Sequence, residues 1–164
     1  VHIARKHSVE YVDSAKGLPN PDGSVSAIYS CHMLEHLDIL EAKRFLTEAY
    51  RVLKPGGILR IVVPDLKKLV SAYLKDEDAD RLIESSLLTT PRPESLSERF
   101  KYLLVGPRHH LWMYDARSLI KALTQVGFAD VHTQGFGSTR ILDPEQLDLH
   151  ERASESICVE AAKP

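Results

Sequence analysis

The sequence lacks the features that mark secreted, membrane-spanning or nucleic-acid-binding proteins. It has only two cysteines, Cys31 and Cys158, and both lie in apolar runs where a thiol is usually an inert hydrophobe, so no disulfide is predicted. The longest apolar runs have the length of strands, which excludes a bilayer-spanning helix and a signal-peptide core. A net charge of -2 gives no field that would hold a nucleic acid. We therefore expect a cytoplasmic protein with neither membrane nor nucleic-acid partners.

The first half of the chain contains a strand, a helix and a second strand in close succession. Apolar residues at 25–29 predict a parallel strand that is covered on both faces. Asp38 and Glu41 resemble a capping box, and the helix that follows ends at the Lys54-Pro55-Gly56-Gly57 stop signal. Residues 58–63 form the next strand. Short connections of this kind predict a right-handed parallel crossover.

The remaining elements complete one domain over residues 1–164. A short strand is predicted earlier, at residues 9–12, and helices are predicted at 66–74, within 76–88, near 96–104 and from the Asp115 cap to Gly127. Strands near 131–134 and 157–161 close the chain. This order favours an α/β fold with a doubly wound, mostly parallel sheet and a C-terminal antiparallel hairpin. Residues 76–107 carry no readable motif and are predicted to form a helical substrate lid.

Several separate motifs occur in an order typical of one protein family. They are S-C-H-M-L-E-H-L at residues 30–37, R-V-L-K-P-G-G at 51–57, H-H-L-W-M-Y-D at 109–115 and L-T-Q-V-G-F-A-D-V at 123–131. Together they resemble the small type 11 class I S-adenosylmethionine-dependent methyltransferases. The resemblance implies a Rossmann-like fold, S-adenosyl-L-methionine as cofactor, and methyl transfer to an O or N atom of a small molecule or glycan precursor. The alternative is a non-catalytic methyltransferase-like partner subunit.

The resemblance also implies where the cofactor lies. In the family, the loop after the third strand carries an acidic residue that binds the adenine amino group, and Asp13 or Ser14 occupies that place here. Ser30, Cys31 and His32 follow the next strand at the carboxyl edge of the predicted sheet, where ligands bind in open α/β folds. The family places the methionine part of the cofactor and its methyl group at this edge.

The glycine-rich loop that the family places upstream is absent from the sequence, together with the first strand and helix. His2 stands near the place where the family has its ribose-binding acid. Three explanations are open: a fragment of a longer product, which we favour, an N-terminal part supplied by another chain, or a domain that no longer binds cofactor. A chain standing alone would leave a buried edge beside residues 25–29 unpaired, so a homodimer is then expected.

The motif H-x-x-E-H, formed by His32, Glu35 and His36, is also an inverted zinc-protease signature. Because the motif leaves a strand directly, we favour packing and substrate-side hydrogen bonding, and no metal ligand is predicted. A divalent ion that assists methyl transfer, with His109 or His110 as a further ligand, is one alternative. A metal hydrolase that uses His32, Glu35 and His36 is a less favoured alternative.

His110 and Tyr114 fit an H-x-x-x-[FY] pattern that faces the substrate in relatives. A histidine of near-neutral pKa can take the proton from a hydroxyl or amine as that group attacks the methyl. The alternative is an imidazole that caps the following helix or packs on Trp112. Since methyl transfer from a sulfonium needs mainly in-line positioning and a base, the predicted catalytic residues are His110 and His32.

Overall fold

The computed structural model describes residues 13, 17–89, 95, 109–144, 147, 149–150 and 152–164. Its four strands form one sheet in the order β1-β2-β4-β3. The strands are β1 (Val25–Cys31), β2 (Leu53–Pro64), β3 (Ala129–Thr133) and β4 (Ser156–Ala162). The helices are α1 (Ile39–Val52), α2 (Leu66–Asp76), α3 (Ala79–Ser86) and α4 (Ala116–Val126), with one 3-10 turn at Leu34–His36.

The described sheet contains one parallel strand pair and two antiparallel pairs. β1 and β2 pair in parallel, with α1 as the crossover between them. β4 lies between β2 and β3 and runs antiparallel to both. The predicted α/β architecture, with its parallel crossover and its antiparallel C-terminal pair, is therefore confirmed.

Helix α1 begins where the sequence predicts. The Asp38 carboxylate accepts hydrogen bonds from the backbone N–H groups of Leu40 and Glu41, each at 2.8 Å, and the Glu41 carboxylate accepts the Asp38 N–H at 3.0 Å. This reciprocal capping box satisfies donors that a helix start otherwise leaves free. The helix face that packs on the sheet is buried; it comprises Ala42, Phe45, Leu46, Ala49 and Val52.

The sequence predicts that residues 54–57 separate the helix from the next strand. In the structure these residues form an irregularity inside β2. The helix ends at Val52, and β2 begins at Leu53 rather than at Ile58. Val25 pairs with Leu53 and Ala27 with Ile58, so residues 54–57 of β2 lie opposite Ser26 alone and the register shifts. Proline and glycine favour such a bulge because the former has no N–H for the ladder and the latter tolerates unusual backbone angles.

The two faces of the central strands differ in chemistry. The face toward α1 and α4 is apolar, and its largest contributions from β2 and β4 are Leu59, Ile61, Val63, Ile157 and Val159. The opposite face carries Arg60 and Glu160, which lie in register and are both fully buried. Residues 138–140 supply hydrogen bonds to this charged pair.

Some expectations fall outside the described residues. They are the strand at 9–12, the helix near 96–104, and the part of the predicted lid beyond residue 89, apart from Ser95. The lid and the homodimer remain predictions. Cys31 and Cys158 are not joined by a disulfide, and burial raises the pKa of Cys158 to about 11. None of the helices in the described ranges has the length and apolar character needed to cross a lipid bilayer.

Candidate functional site

The chain changes direction sharply at the carboxyl end of β1. The N–H of His32 still donates to the Val62 carbonyl at 2.9 Å, as a further rung of the β1-β2 pairing. The φ angle of His32 is +49°, a left-handed conformation that directs the chain into the 3-10 turn Leu34–His36. The histidines of the H-x-x-E-H motif therefore do not lie on one helical face, and the inverted zinc-protease arrangement is not formed.

Glu35 lies at the centre of the site and is 1% exposed. Its Oε1 lies 3.1 Å from His32 Nδ1 and 4.0 Å from His110 Nε2. Its Oε2 is buried and has no hydrogen-bond partner among the residues that the structure describes. The Glu35 carbonyl accepts the N–H groups of Leu111 and Trp112, at 2.8 and 3.1 Å, which joins the 109–112 segment to the turn. A buried carboxylate oxygen without a donor is costly, and a water, an ion or a ligand could satisfy such an atom.

His110 is buried and tightly held. Its Nδ1 donates to the Ser86 carbonyl at 2.7 Å, its backbone N–H donates to the Leu87 carbonyl at 2.8 Å, and its ring meets that of His36 edge-on with centroids 5.0 Å apart. Burial lowers the pKa of His110, outweighing the opposing effects of the Ser86 hydrogen bond and of Glu35. A neutral imidazole with a proton on Nδ1 leaves a lone pair on Nε2.

Tyr114 and Asp115 end the same segment. Burial, helped by the nearby charge of Glu35, raises the pKa of Tyr114 to about 12, so this phenol keeps its proton. The Asp115 carboxylate accepts the N–H of Ser118 at 2.7 Å and caps α4. The alternative in which an imidazole caps this helix is therefore wrong, because Asp115 already occupies the capping position.

His32 connects two distant parts of the chain. Its Nδ1 faces Glu35, and its Nε2 lies 3.1 Å from the hydroxyl oxygen of Ser156. The natural tautomer has Nδ1–H donating to the carboxylate and Nε2 accepting the Ser156 proton. Sequence reasoning missed Ser156. The structure reveals this residue because Ser156 pairs with Pro64, which brings the start of β4 beside the carboxyl end of β2.

The predicted cofactor residues are only partly brought together. Ser30 and Cys31 end β1 beside His32, and the Ser30 hydroxyl is buried without a hydrogen-bond partner. Asp13 is exposed, and Ser14 lies outside the described residues. The roles of all five residues in cofactor binding remain predictions.

Comparison with known proteins agrees with this architecture. Residues 2–61 match the model of the family described as "Methyltransferase domain". A probable S-adenosylmethionine-dependent methyltransferase of Mycolicibacterium smegmatis is 38% identical over 48 residues, which are 29% of this chain and 18% of that protein. The matched region is therefore a small part of the curated relative.

Two solved structures share the fold. A S-adenosylmethionine-dependent methyltransferase of Thermotoga maritima, described as a possible histamine N-methyltransferase, has a TM-score of 0.54 and 22% identity, covering 99% of this chain and 68% of that one. Human N-acetylserotonin methyltransferase, solved with S-adenosylmethionine, has a TM-score of 0.53 and 16% identity, covering 99% and 37%.

The chain therefore has the fold of class I S-adenosylmethionine-dependent methyltransferases, and the candidate site lies at an edge of its sheet. This confirms the resemblance that the motifs predicted. In sequence, residues 2–61 are similar to the Methyltransferase domain family.

Proposed function

We propose that this chain belongs to an enzyme that transfers a methyl group from S-adenosyl-L-methionine to an O or N atom of a small molecule. The observation that carries the proposal is the unit formed by β1, the 32–36 turn, α1 and β2. This unit presents a buried, partly unsatisfied set of polar groups at the carboxyl edge of the sheet. Most of it lies within the region that matches the methyltransferase family model.

The cofactor supplies a methyl group on a positively charged sulfur, and the chain must hold it beside the acceptor. The buried Ser30 hydroxyl and the backbone at Cys31 and His32 are the groups we assign to the methionine side. Asp13 or Ser14 is assigned to the adenine. Such positioning accounts for much of the rate enhancement that an enzyme of this kind needs.

His32 is the general base that we propose for the acceptor. Glu35 holds its Nδ1 proton, so Nε2 has the lone pair, and Ser156 now donates to that lone pair. An acceptor O–H or N–H that replaces the Ser156 hydroxyl would lose its proton to Nε2 as its heteroatom bonds to the methyl carbon and the bond from carbon to sulfur breaks. His110 is proposed as the second acceptor-side imidazole, kept neutral by burial, which lowers its pKa.

The surface next to the histidines favours a small molecule with an apolar part. Leu111 and Trp112 are 43% and 44% exposed, and their backbone N–H groups bind the Glu35 carbonyl. Apolar side chains exposed beside converging polar groups are typical of small-ligand sites. A glycan precursor would instead need a larger share of polar contacts.

Calorimetry with S-adenosylhomocysteine, using the full-length protein, tests the proposal. We expect binding of one equivalent, and transfer of labelled methyl from S-adenosylmethionine to members of a panel of hydroxyl and amine acceptors. His32→Ala should keep this binding and lower turnover by about 10²–10⁴-fold. His132→Ala, which changes an exposed histidine on β3, is the matched control and should leave both unchanged. Undetectable binding by the full-length protein would favour the non-catalytic partner subunit instead.

A further inference from the structure

Three side chains at this site also bring potential metal-binding atoms close together. A carboxylate oxygen of Glu35 and one ring nitrogen from each of His36 and His110 all lie within 4.8 Å of one another. Two imidazoles and one carboxylate are the ligand set of many catalytic transition-metal sites. We propose that Glu35, His36 and His110 bind a divalent transition-metal ion, of which Zn²⁺ is the reference case.

The hydrogen bonds of the two imidazoles orient them as metal ligands. His110 Nδ1 donates to the Ser86 carbonyl at 2.7 Å, and His36 Nδ1 donates to the His109 carbonyl at 3.1 Å. In the neutral form of either ring, the remaining nitrogen, Nε2, has a lone pair. Metal-binding histidines commonly donate their other N–H to a backbone carbonyl in this way, which fixes both the tautomer and the ring orientation.

The unsatisfied carboxylate oxygen is a second, independent indication. Glu35 is 1% exposed, and its Oε2 has no donor. His110 Nε2 lies 4.0 Å from Oε1, beyond hydrogen-bond distance. A buried group of electron-pair donors without hydrogens to share is unfavourable until a cation lies between them. The cation would satisfy Oε2 and both imidazoles at once.

The present spacing is slightly wide for a bound ion. Ligand atoms around one tetrahedral zinc ion are separated by about 3.3 Å, given bonds of about 2.0–2.1 Å. The 4.0 Å between Oε1 and His110 Nε2 closes with side-chain shifts of less than about 1 Å. His36 is exposed, so its ring is free of the close packing that fixes a core side chain.

The chemistry of the ligands also selects the metal. Two nitrogens and one carboxylate suit zinc, cobalt or iron(II), whereas Mg²⁺ requires mostly oxygen ligands. Three protein ligands leave at least one coordination position for water or an oxygen atom of a small molecule. Because Glu35 Oε1 faces His32, the ion and the proposed base would share one carboxylate. Metal binding itself needs no cofactor and does not depend on the proposed methyl transfer.

The test is a titration of chelator-treated full-length protein with CoCl2, in the absence of cofactor. We expect one equivalent of Co²⁺ to bind, with visible absorption typical of a low-coordinate nitrogen and oxygen site. ZnCl2 should displace it and MgCl2 should not. Glu35→Gln and His110→Ala should each weaken binding by more than about tenfold, since even second-shell partners affect metal affinity by 10- to 100-fold.

Two variants separate this site from adventitious binding by other histidines. His132→Ala removes an exposed imidazole on β3, and His109→Ala keeps the backbone carbonyl that holds His36. Both should bind Co²⁺ as the wild type does. A shift of the thermal midpoint by ZnCl2 in the wild type but not in Glu35→Gln would support the same site. The proposal is overturned if the wild type binds no Co²⁺ or Zn²⁺, or if Glu35→Gln binds with unchanged affinity.

Discussion

Glu160 and Glu35 are both buried carboxylates at the sheet, but their surroundings are opposite. Glu160 accepts hydrogen bonds from Arg60 Nη1 at 2.8 Å, from the backbone N–H of Arg140 at 3.0 Å, and from the Thr139 hydroxyl. Burial alone would raise the pKa of Glu160, yet these donors outweigh it and lower the pKa. Folding therefore supplies every partner that this carboxylate needs.

Glu35 has one close donor, His32, and one oxygen with none. Its other neighbour at the site, His110 Nε2, lies 4.0 Å from Oε1, beyond hydrogen-bond distance. The difference teaches how a structural carboxylate is distinguished from a functional one in the same fold. Burial is common to both, and the number of donors separates them. The following predictions test whether that distinction holds, from the largest effect to the smallest.

Arg60→Met should give the largest loss of stability. The variant leaves Glu160 buried without its main counter-charge, and breaking a buried ion pair on one side typically costs about 3–5 kcal/mol. Chemical denaturation of wild type and variant measures the difference. The double variant Arg60→Met with Glu160→Leu removes both charges and should recover most of the loss. If the double variant is as unstable as the single one, packing rather than charge explains the effect.

Thr139→Val should cost about 2 kcal/mol. It removes the hydroxyl that donates to Glu160 and accepts the Ile141 N–H, and hydrogen bonds to charged groups contribute about 1.5–3 kcal/mol. Thr47→Val is the control, since the Thr47 hydroxyl only donates to the Lys43 carbonyl on an exposed helix face. Equal destabilisation of the two variants would show that Glu160 does not depend on this donor.

Glu35→Gln should change the free energy of unfolding by less than about 1 kcal/mol in the absence of metal. The amide oxygen can still accept the His32 proton, and the variant loses no donor to Oε2 because none exists. Urea denaturation in the presence of a chelator measures this. A loss as large as that of Arg60→Met would mean that Glu35 is as well satisfied as Glu160, and would contradict the distinction drawn above.

Glu48 provides a surface comparison, with the smallest expected effect. Hydrogen bonds from Arg51 and from the Leu18 N–H lower the pKa of Glu48 from 4.5 to about 2. Its stabilising contribution is therefore complete above pH 4.5 and is lost as pH falls toward 2. Because solvent screens such pairs, Glu48→Gln should cost only about 0.5 kcal/mol at pH 7.

The stability difference between wild type and Glu48→Gln should disappear between pH 4.5 and 2, and should shrink in high salt. Thermal melts across that pH range measure it. Glu84→Gln, which changes an exposed glutamate on α3, is the control and should show no such convergence. A stability difference that grows as the pH falls would contradict a lowered pKa of Glu48.

The elements of the fold that rest on local signals could be predicted from the sequence. Asp38 and Asp115 each form a capping box, and an apolar pattern follows each of them. These signals locate α1 and α4 closely. The bulge at residues 54–57 could not be predicted, because Pro-Gly-Gly is equally suited to a loop between elements and to a bulge within a strand. Only the pairing of Leu53 with Val25 distinguishes them.

The position of the candidate site could be predicted from the sequence, but the contacts among its side chains could not. Motif order indicated His32 and His110, and both lie beside Glu35. The burial of Glu35 and the contact of His32 with Ser156 are long-range, so no spacing in the sequence reports them. Arg60 and Glu160 each interrupt an apolar strand pattern in the sequence. This pattern could have indicated a buried ion pair, but sequence reasoning did not make that inference.

The position of β4 has a consequence for the biogenesis of the protein. This strand follows β2 and β3 in the sequence, yet it lies between them in the sheet. It also carries Ser156, the partner of His32 from 124 residues earlier in the chain. During synthesis, which proceeds from the N-terminus, the sheet and the site therefore remain open until the final strand has left the ribosome.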